Sequence, residues 1–389
     1  MSWIGRVIGL AVFTGIAFYE WRRLVHDTRL RGWARAAATL AIIITVAPMV
    51  VANVFGRGGP PNIMGPLAWP AFLGWAVFAL VLIGLVIVDV VRLLAWIGRR
   101  IARTPPMDPG RRAALARITG GTVTALVVGE VGIGVGNALR DPAVVDVPIQ
   151  LARLPHAFEG FTIVQLTDIH VGATIGGELV ASLVARTNAL QPDLIALTGD
   201  LVDGTVDQLR DDLAVLRELR APHGVFFVTG NHEYYVGVDA WVAYIASLGI
   251  RVLHNERVEI ACDGAAFDLA GIDDYSATSY GPGHGPDLTA ALAGRDPERA
   301  VVLLAHQPRQ VHDAARHGVD LQLSGHTHGG QVWPWHYLVA AQQGGLLAGR
   351  YREGDTELYV SRGAGYWGPP VRFAAPSEIT RIILRAPSG

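Results

Sequence analysis

Between Ala71 and Ile97 the chain is apolar almost without interruption, with Asp89 near the far end. A helix needs roughly 17–25 such residues to cross a bilayer, and a stretch this long and continuous reads as a membrane span rather than a core helix. Three more stretches share its character: Ile4 to Tyr19, broken only by Arg6, Ala36 to Phe55, and Ile118 to Leu139. The first lacks the positive n-region and the small-residue cleavage site of a signal peptide, so it is read as a span too. Four spans are expected, at residues 4–20, 36–55, 71–97 and 118–139, within a helical membrane region covering residues 1–140. Such a region accounts for a mean hydropathy of +0.32 and a hydrophobic content of 51%.

Charge separates the same two regions. Residues 1–140 hold 15 arginines against five acids, whereas residues 141–389 hold 17 arginines against 29 acids, and lysine is absent throughout. Arg22, Arg23, Arg29, Arg31 and Arg35 crowd the first connection and Arg99, Arg100, Arg103, Arg111 and Arg112 the third, while Arg57 is alone in the second. Positive connections stay cytoplasmic, so one further crossing carries everything after residue 140 to the extracytoplasmic side. The acidic half has no basic cluster to follow a phosphate backbone, which argues against nucleic acid as a partner. The lone Cys262 excludes an intrachain disulfide framework. Gly132, Gly134 and Gly136 lie inside an apolar run with no strand before them and read as helix-packing glycines, not as a dinucleotide fingerprint. Glu130, a carboxylate well inside a span, is either functional or a paired or protonated structural acid, the second being preferred.

After a linker and first strand at residues 141–155 the pattern changes. Short apolar runs at Phe161–Leu166, Leu194–Leu197, Val225–Val228, Phe267–Ala270, Val301–Leu304, Leu321–Leu323, Leu358–Val360 and Ile379–Leu384 read as strands. Amphipathic stretches at Glu178–Leu190, Val206–Leu219, Asp239–Leu248 and Arg309–Arg316 read as helices between them. The alternation predicts an α/β domain over residues 156–389.

Polar residues follow five of these strands: Asp168 and His170, then Gly199-Asp200, then Gly230-Asn231-His232-Glu233, then His306, then Gly325-His326-Thr327-His328. In an α/β sheet, ligands bind beyond the carboxyl ends of the strands, where five such loops can converge. On an extended backbone His326 and His328 share one side while Thr327 faces away. Oxygen and nitrogen donors without a thiolate suit Mn, Fe or Zn and argue against a zinc finger. Asp203 reads as a partner that orients a histidine or as part of a helix-capping turn. His223, His254, His312 and His317 read as ordinary surface residues, and the glycine-rich stretch after Asp273-Asp274-Tyr275 as a connecting loop or, less favoured, a lid. Trp333, Trp335, Tyr366 and Trp367 are either an apolar platform or core and rim aromatics.

The ordered set D-x-H, G-D, G-N-H-E, a lone H and G-H-T-H resembles the calcineurin-like metallophosphoesterases, over about residues 144–385 and in particular their membrane-associated bacterial branch, which includes enzymes that cleave UDP-diacylglucosamine. The resemblance implies a β-sandwich flanked by helices, in αββα order. It implies two divalent cations, one held by Asp168, His170 and His328, the other by Asn231, His306 and His326, with Asp200 shared. It further implies hydrolysis of phosphoester or pyrophosphate bonds by a metal-activated hydroxide, with His232 as an outer-sphere histidine that protonates the leaving oxygen or binds the transition state. Glu233 would then orient a histidine or act directly. A membrane-anchored phosphohydrolase is the leading expectation, with a lipid-linked substrate; the alternative is a membrane sensor or scaffold that binds a phosphorylated ligand without turnover. A nucleotide-linked lipid would require a cytoplasmic face, against the arginine pattern.

Overall fold

A computed structural model describes residues 3–55 and 61–387. It divides into two units, one of residues 1–136 with Gly368–Val371 and one of Asn137–Trp367 with Arg372–Gly389. The helical unit contains α1 (Trp3–Trp21), α2 (Gly32–Phe55), α3 (Pro61–Ile101) and most of α4 (Pro109–Ala138). Among the described residues three helical stretches are long and apolar enough to cross a membrane: Gly32–Val51, Gly65–Ile101 and Pro109–Ala138. The four expected spans are thus corrected to three. The stretch at 4–20 forms the helix Trp3–Trp21, which closes on Glu20 and Trp21 and is not among those three.

The polar residues of this unit are largely paired. Asp89 accepts from Tyr19 Oη at 2.8 Å and from Arg23 Nε at 2.9 Å. Close helix contacts fall at Gly74, where a Cβ would collide with the Thr45 carbonyl, and at Gly84, against Val123. Gly132 and Gly136 face open space, so the expected helix-packing role does not hold there. Glu130 Oε1 is buried without a hydrogen-bond partner among the described residues.

The second unit is a two-sheet sandwich. In chain order its elements are β1 (Ala143–Gln150), β2 (Thr162–Leu166), α5 (Gly177–Ala189), β3 (Leu194–Leu197), α6 (Val206–Leu213), β4 (Val225–Phe227), α7 (Asn231–Val236), α8 (Val238–Ser247), β5 (Arg251–Val252), β6 (Glu256–Cys262) and β7 (Ala265–Gly271). There follow α9 (Leu288–Ala291), β8 (Val301–Leu304), α10 (Val311–Arg316), β9 (Leu321–Ser324), α11 (Trp335–Gln342), β10 (Gly349–Glu353), β11 (Thr356–Val360) and β12 (Glu378–Arg385). One sheet has the order β1-β12-β2-β3-β4-β5, the other β10-β11-β9-β8-β7-β6. β2, β3, β4 and β5 run parallel, as do β7, β8, β9 and β11, so the carboxyl ends of the central strands in each sheet lie together.

Alternation along each strand divides the side chains between two interfaces. Ile163, Leu194, Ala196, Phe226, Leu269 and Val302 fill the space between the sheets, joined by the edge-on rings of Phe158 and Phe267, 4.9 Å apart. Val164, Ile195, Leu197 and Phe227 face outward and are covered by Leu183 of α5 and by Trp241 and Ile245 of α8. On the far side Val301 and Leu303 are covered by Leu288 of α9 and Ala314 of α10. Strands buried on both faces must be apolar at nearly every position, which is why Leu194–Leu197 and Val301–Leu304 carry no polar residue. The αββα order expected from the resemblance is the one found.

Candidate metal centre

Loops after β2, β3, β4, β8 and β9 meet at one end of the sandwich and bring Asp168, His170, Asp200, Asn231, His232, His306, His326 and His328 together. All but His326 are buried. Five of these residues have a positive φ: Asp168 (55°), His170 (55°), Asp200 (53°), His326 (71°) and His328 (51°). Each such residue costs on the order of 1–2 kcal/mol and persists only where its surroundings over-determine it. A mesh of main-chain bonds does so: Asp168 N–H donates to Gly199 O at 3.0 Å and His170 N–H to Asp200 O at 3.1 Å. The carboxylates also tie the loops, Asp168 accepting from His326 N–H at 2.9 Å and Asp200 Oδ1 from His232 N–H at 2.8 Å.

The loops approach so closely that glycine is required. A Cβ at Gly325 would collide with the Asp168 carboxylate and Thr167, and one at Gly365 with the main-chain carbonyl of Ile169. The second obstacle is backbone and cannot swing aside. Gly365→Ala is therefore expected to destabilise the domain by about 1–3 kcal/mol, a typical cost of overpacking, read as a lower urea midpoint at unchanged slope. A midpoint equal to that of the parent would show that the loop yields freely.

The donor atoms form two adjoining sets. Asp168, His170 and His328 lie together, with His170 Nε2 facing His328 Nε2 at 3.0 Å and His328 Nε2 3.4 Å from Asp168 Oδ1. Asp200, His306 and His326 form the second, with His306 Nε2 3.2 Å from His326 Nδ1. Asp200 Oδ2 lies between them, 3.1 Å from His306 Nε2 and 3.8 Å from His170 Nε2. A third grouping joins His170 and Asp200 to His232, whose Nε2 is 4.0 Å from Asp200 Oδ2.

Tautomers follow from the outer partners. His306 Nδ1–H donates to the Thr198 carbonyl at 2.8 Å, leaving Nε2 bare. Asp203 Oδ1 accepts from His170 Nδ1–H at 3.1 Å and from His232 Nδ1–H at 2.5 Å, so one carboxylate orients two imidazoles. It does not cap α6; Thr205 and Gln208 form that cap. Glu233, expected to orient a histidine or act directly, instead takes the N–H groups of Gly230, Asp200 and Leu201 at 2.7, 3.0 and 2.8 Å, with no imidazole among its hydrogen-bond partners. It locks the β3 loop to the β4 loop, a role invisible before those loops are known to be neighbours.

The electrostatics call for positive charge. Burial pulls the His170 imidazolium down, but Asp203, Asp200 and Asp168 outweigh it and push it up to about 9. Burial, with the neighbouring His306, holds His326 down to about 3. Burial and the Asp200 carboxylate push Glu233 up to about 8. Asp168, Asp200 and Glu233 are nearly inaccessible, two imidazole pairs face each other nitrogen to nitrogen, and Asn231 Oδ1 is buried with no hydrogen-bond partner among the described residues. Converging lone pairs, excess carboxylate and an orphaned amide oxygen fit divalent cations, and the lone Cys262 is far off in β6.

The remaining candidates take ordinary partners. His254 pairs with Asp273 at 2.5 Å, His312 with Glu353 at 3.0 Å and His317 with Asp313 at 3.4 Å. Asp273 and Asn255 also bind the main chain of Gly285, which ties the glycine-rich stretch down as a connecting loop. Tyr366 is core, its hydroxyl donating to Thr174 O at 3.0 Å, while Trp333, Trp335 and Trp367 are exposed.

A profile described as calcineurin-like phosphoesterase matches residues 161–330. A transmembrane protein with metallophosphoesterase domain from Bos taurus is 40% identical over 306 residues, covering 76% of this chain and 68% of its own. Its namesake from Danio rerio is 37% identical, with coverages of 82% and 74%. An uncharacterised metallophosphoesterase of Helicobacter pylori is 37% identical, with coverages of 71% and 73%.

Proposed function

Because the chain belongs to the calcineurin-like metallophosphoesterase family, we propose that the cluster beyond β2, β3, β4, β8 and β9 cleaves phosphoester or pyrophosphate bonds at two divalent cations. The observation that carries this reading is Asp200 Oδ2, one carboxylate oxygen facing an imidazole from each donor set. Asp168, His170 and His328 would hold one ion and Asn231, His306 and His326 the other, with Asp200 within reach of both sets. Bound there, the pair supplies an activated water and Lewis acidity toward the phosphoryl oxygens. Two anionic ligands leave the pair net positive, which favours a phosphate dianion or diester.

The chain's own residues do the rest. Asp203 holds His232 by Nδ1, so that its Nε2 is turned toward Asp200 and the substrate side, where it protonates the leaving oxygen. Asp203 also fixes His170, and Glu233 fixes the backbone that carries Asp200. We further read residues 1–140 as the membrane anchor and residues 156–389 as the catalytic domain. The arginines between α3 and α4 face the cytoplasm and α4 crosses once more, so the orientation argument is the same with three spans as with four. A lipid-linked phosphate on the extracytoplasmic side is the substrate class this arrangement favours.

Chelator-treated protein in detergent is expected to lose hydrolysis of bis(p-nitrophenyl) phosphate and to melt at a lower temperature, both restored by Mn²⁺. Protein that carries two ions yet leaves diesters and monoesters intact would refute turnover and favour the sensor or scaffold reading. Protease resistance of a carboxyl-terminal tag in intact cells would overturn the extracytoplasmic orientation.

A further inference from the structure

We propose that a row of aromatic rings beside His232 forms a subsite for the leaving group of the substrate, and that it selects a flat π ring, an aryl group or a nucleobase. This rests on the phosphohydrolase reading of the metal cluster, in which His232 faces the leaving oxygen. Helical spacing starts the row. α7 opens with Asn231 and His232, and residues three and four apart share a helix face, so Tyr235 stands on the face of both. Its ring lies 5.0 Å from that of His232 and 6.3 Å from that of Tyr280. The Trp367 ring meets His232 edge-on at 5.8 Å. His232 is buried, whereas Tyr235, Tyr280 and Trp367 are 49%, 43% and 48% exposed. The row therefore leads from the group that faces the leaving oxygen out to solvent.

The rings are held in place by the loops that carry the metal donors, so the subsite is largely preformed. Tyr234, the buried neighbour of Tyr235, packs its ring 5.4 Å from that of Tyr280. Tyr280 ends the short turn Ala277–Tyr280, and Asp274 anchors the start of that turn. Asp274 Oδ1 accepts from Ser276 N–H at 2.8 Å and from Ser276 Oγ–H at 2.6 Å. The same carboxylate is inaccessible and accepts from Nε2 of Gln307, the residue directly after His306, at 3.1 Å. Trp367 is clamped by Gln331, whose Nε2 donates to the Trp367 carbonyl and whose Oε1 accepts the Trp367 N–H, both at 2.9 Å. Gln331 itself follows closely on His328.

Ring faces without formal charge favour a flat, polarisable partner. Stacking of a base on an aromatic side chain is worth about fivefold to a hundredfold in affinity per ring, and it tolerates polar edges, which tyrosine hydroxyls and an indole N–H can meet. An acyl chain would leave those polar tips unused. A saturated ring would gain hydrophobic burial alone.

The test titrates the full chain in detergent, loaded with Mn²⁺, with propyl-, phenylpropyl- and cyclohexylpropylphosphonate, none of which can be hydrolysed. The phenyl compound should bind at least about fivefold tighter than the cyclohexyl compound, although the latter is the more apolar. Tyr235→Leu and Tyr280→Leu should each lower that ratio by about threefold or more, and Tyr235→Phe should keep it. Partition into detergent is common to parent and variants, so the change in ratio is decisive, and an unchanged melting transition shows that each variant is folded. A uracilylpropyl compound separates the two sources of a flat ring: tighter binding than the phenyl compound assigns a nucleobase, weaker binding an aryl group. Equal affinities for the flat and the saturated ring in the parent overturn the proposal, as does a ratio that survives both leucine variants. The readout is binding, not turnover. If propylphosphonate itself fails to bind, the phosphate site falls and the subsite with it, whereas binding without preference for the flat ring overturns the subsite alone.

Discussion

Asp200→Asn is expected to lower kcat by about 10³-fold, about 4 kcal/mol of transition-state stabilisation, and to reduce bound metal from two ions to one or fewer. Asp200 Oδ1 accepts the His232 N–H and Oδ2 faces both donor sets, so the substitution leaves one acceptor in place while turning an NH₂ toward the cations. The shared anion that tempers repulsion between two divalent ions is then gone. Folding supplies the control. Burial pushes the Asp200 carboxyl up, but His306, His232 and His170 outweigh it and hold it well below the usual carboxylate range, so neutralising it costs the metal-free protein stability as well. Chelated Asp200→Asn should melt below chelated parent, and the gap should widen with Mn²⁺, from which the parent alone gains stability. A variant that keeps both ions and the parental kcat would refute a shared role for Asp200.

How much of this was legible beforehand follows from which signals are local. The central strands are apolar at nearly every position because helices cover one face and the other sheet covers the second, so Leu194–Leu197 and Val301–Leu304 announce themselves. The donor residues were legible for a related reason, each directly following such a strand. β6 and β10 escaped because they are edge strands of alternating polarity, Glu256-Arg257-Val258-Glu259 and Gly349-Arg350-Tyr351-Arg352. One local signal was available for β6. The turn Asp263-Gly264 has positive φ at both residues, 50° and 79°, the conformation that a two-residue hairpin between β6 and β7 demands. Glu233 and Asp203 were not separable from sequence, because their work depends on which loops meet. The helix α11 buries none of its residues, so no fully packed face imposes a readable period. Asp89 shows the converse, since its partners Tyr19 and Arg23 are some seventy residues away.

His232→Gln is expected to separate proton transfer from metal binding. Protonation matters little when the leaving group is p-nitrophenolate, so that rate should fall by no more than about tenfold. With an alkoxide leaving group the same variant should lose roughly 10²–10⁴-fold, the usual contribution of a positioned acid. Asp203→Asn should impose the same leaving-group dependence, because Asp203 Oδ1 holds the His232 ring by Nδ1. It should also weaken metal binding by about 10–100-fold, because the same oxygen holds His170. Adding His232→Gln to Asp203→Asn should then change the leaving-group dependence little, the non-additivity expected of residues acting as one unit. Metal content decides between His232 as acid and His232 as ligand, the grouping with His170 and Asp200 that the geometry also allows. If His232→Gln keeps two ions and loses only the poor leaving group, the imidazole gives a proton; if it loses an ion and both substrates suffer alike, the imidazole is a ligand and the proton must come from another group.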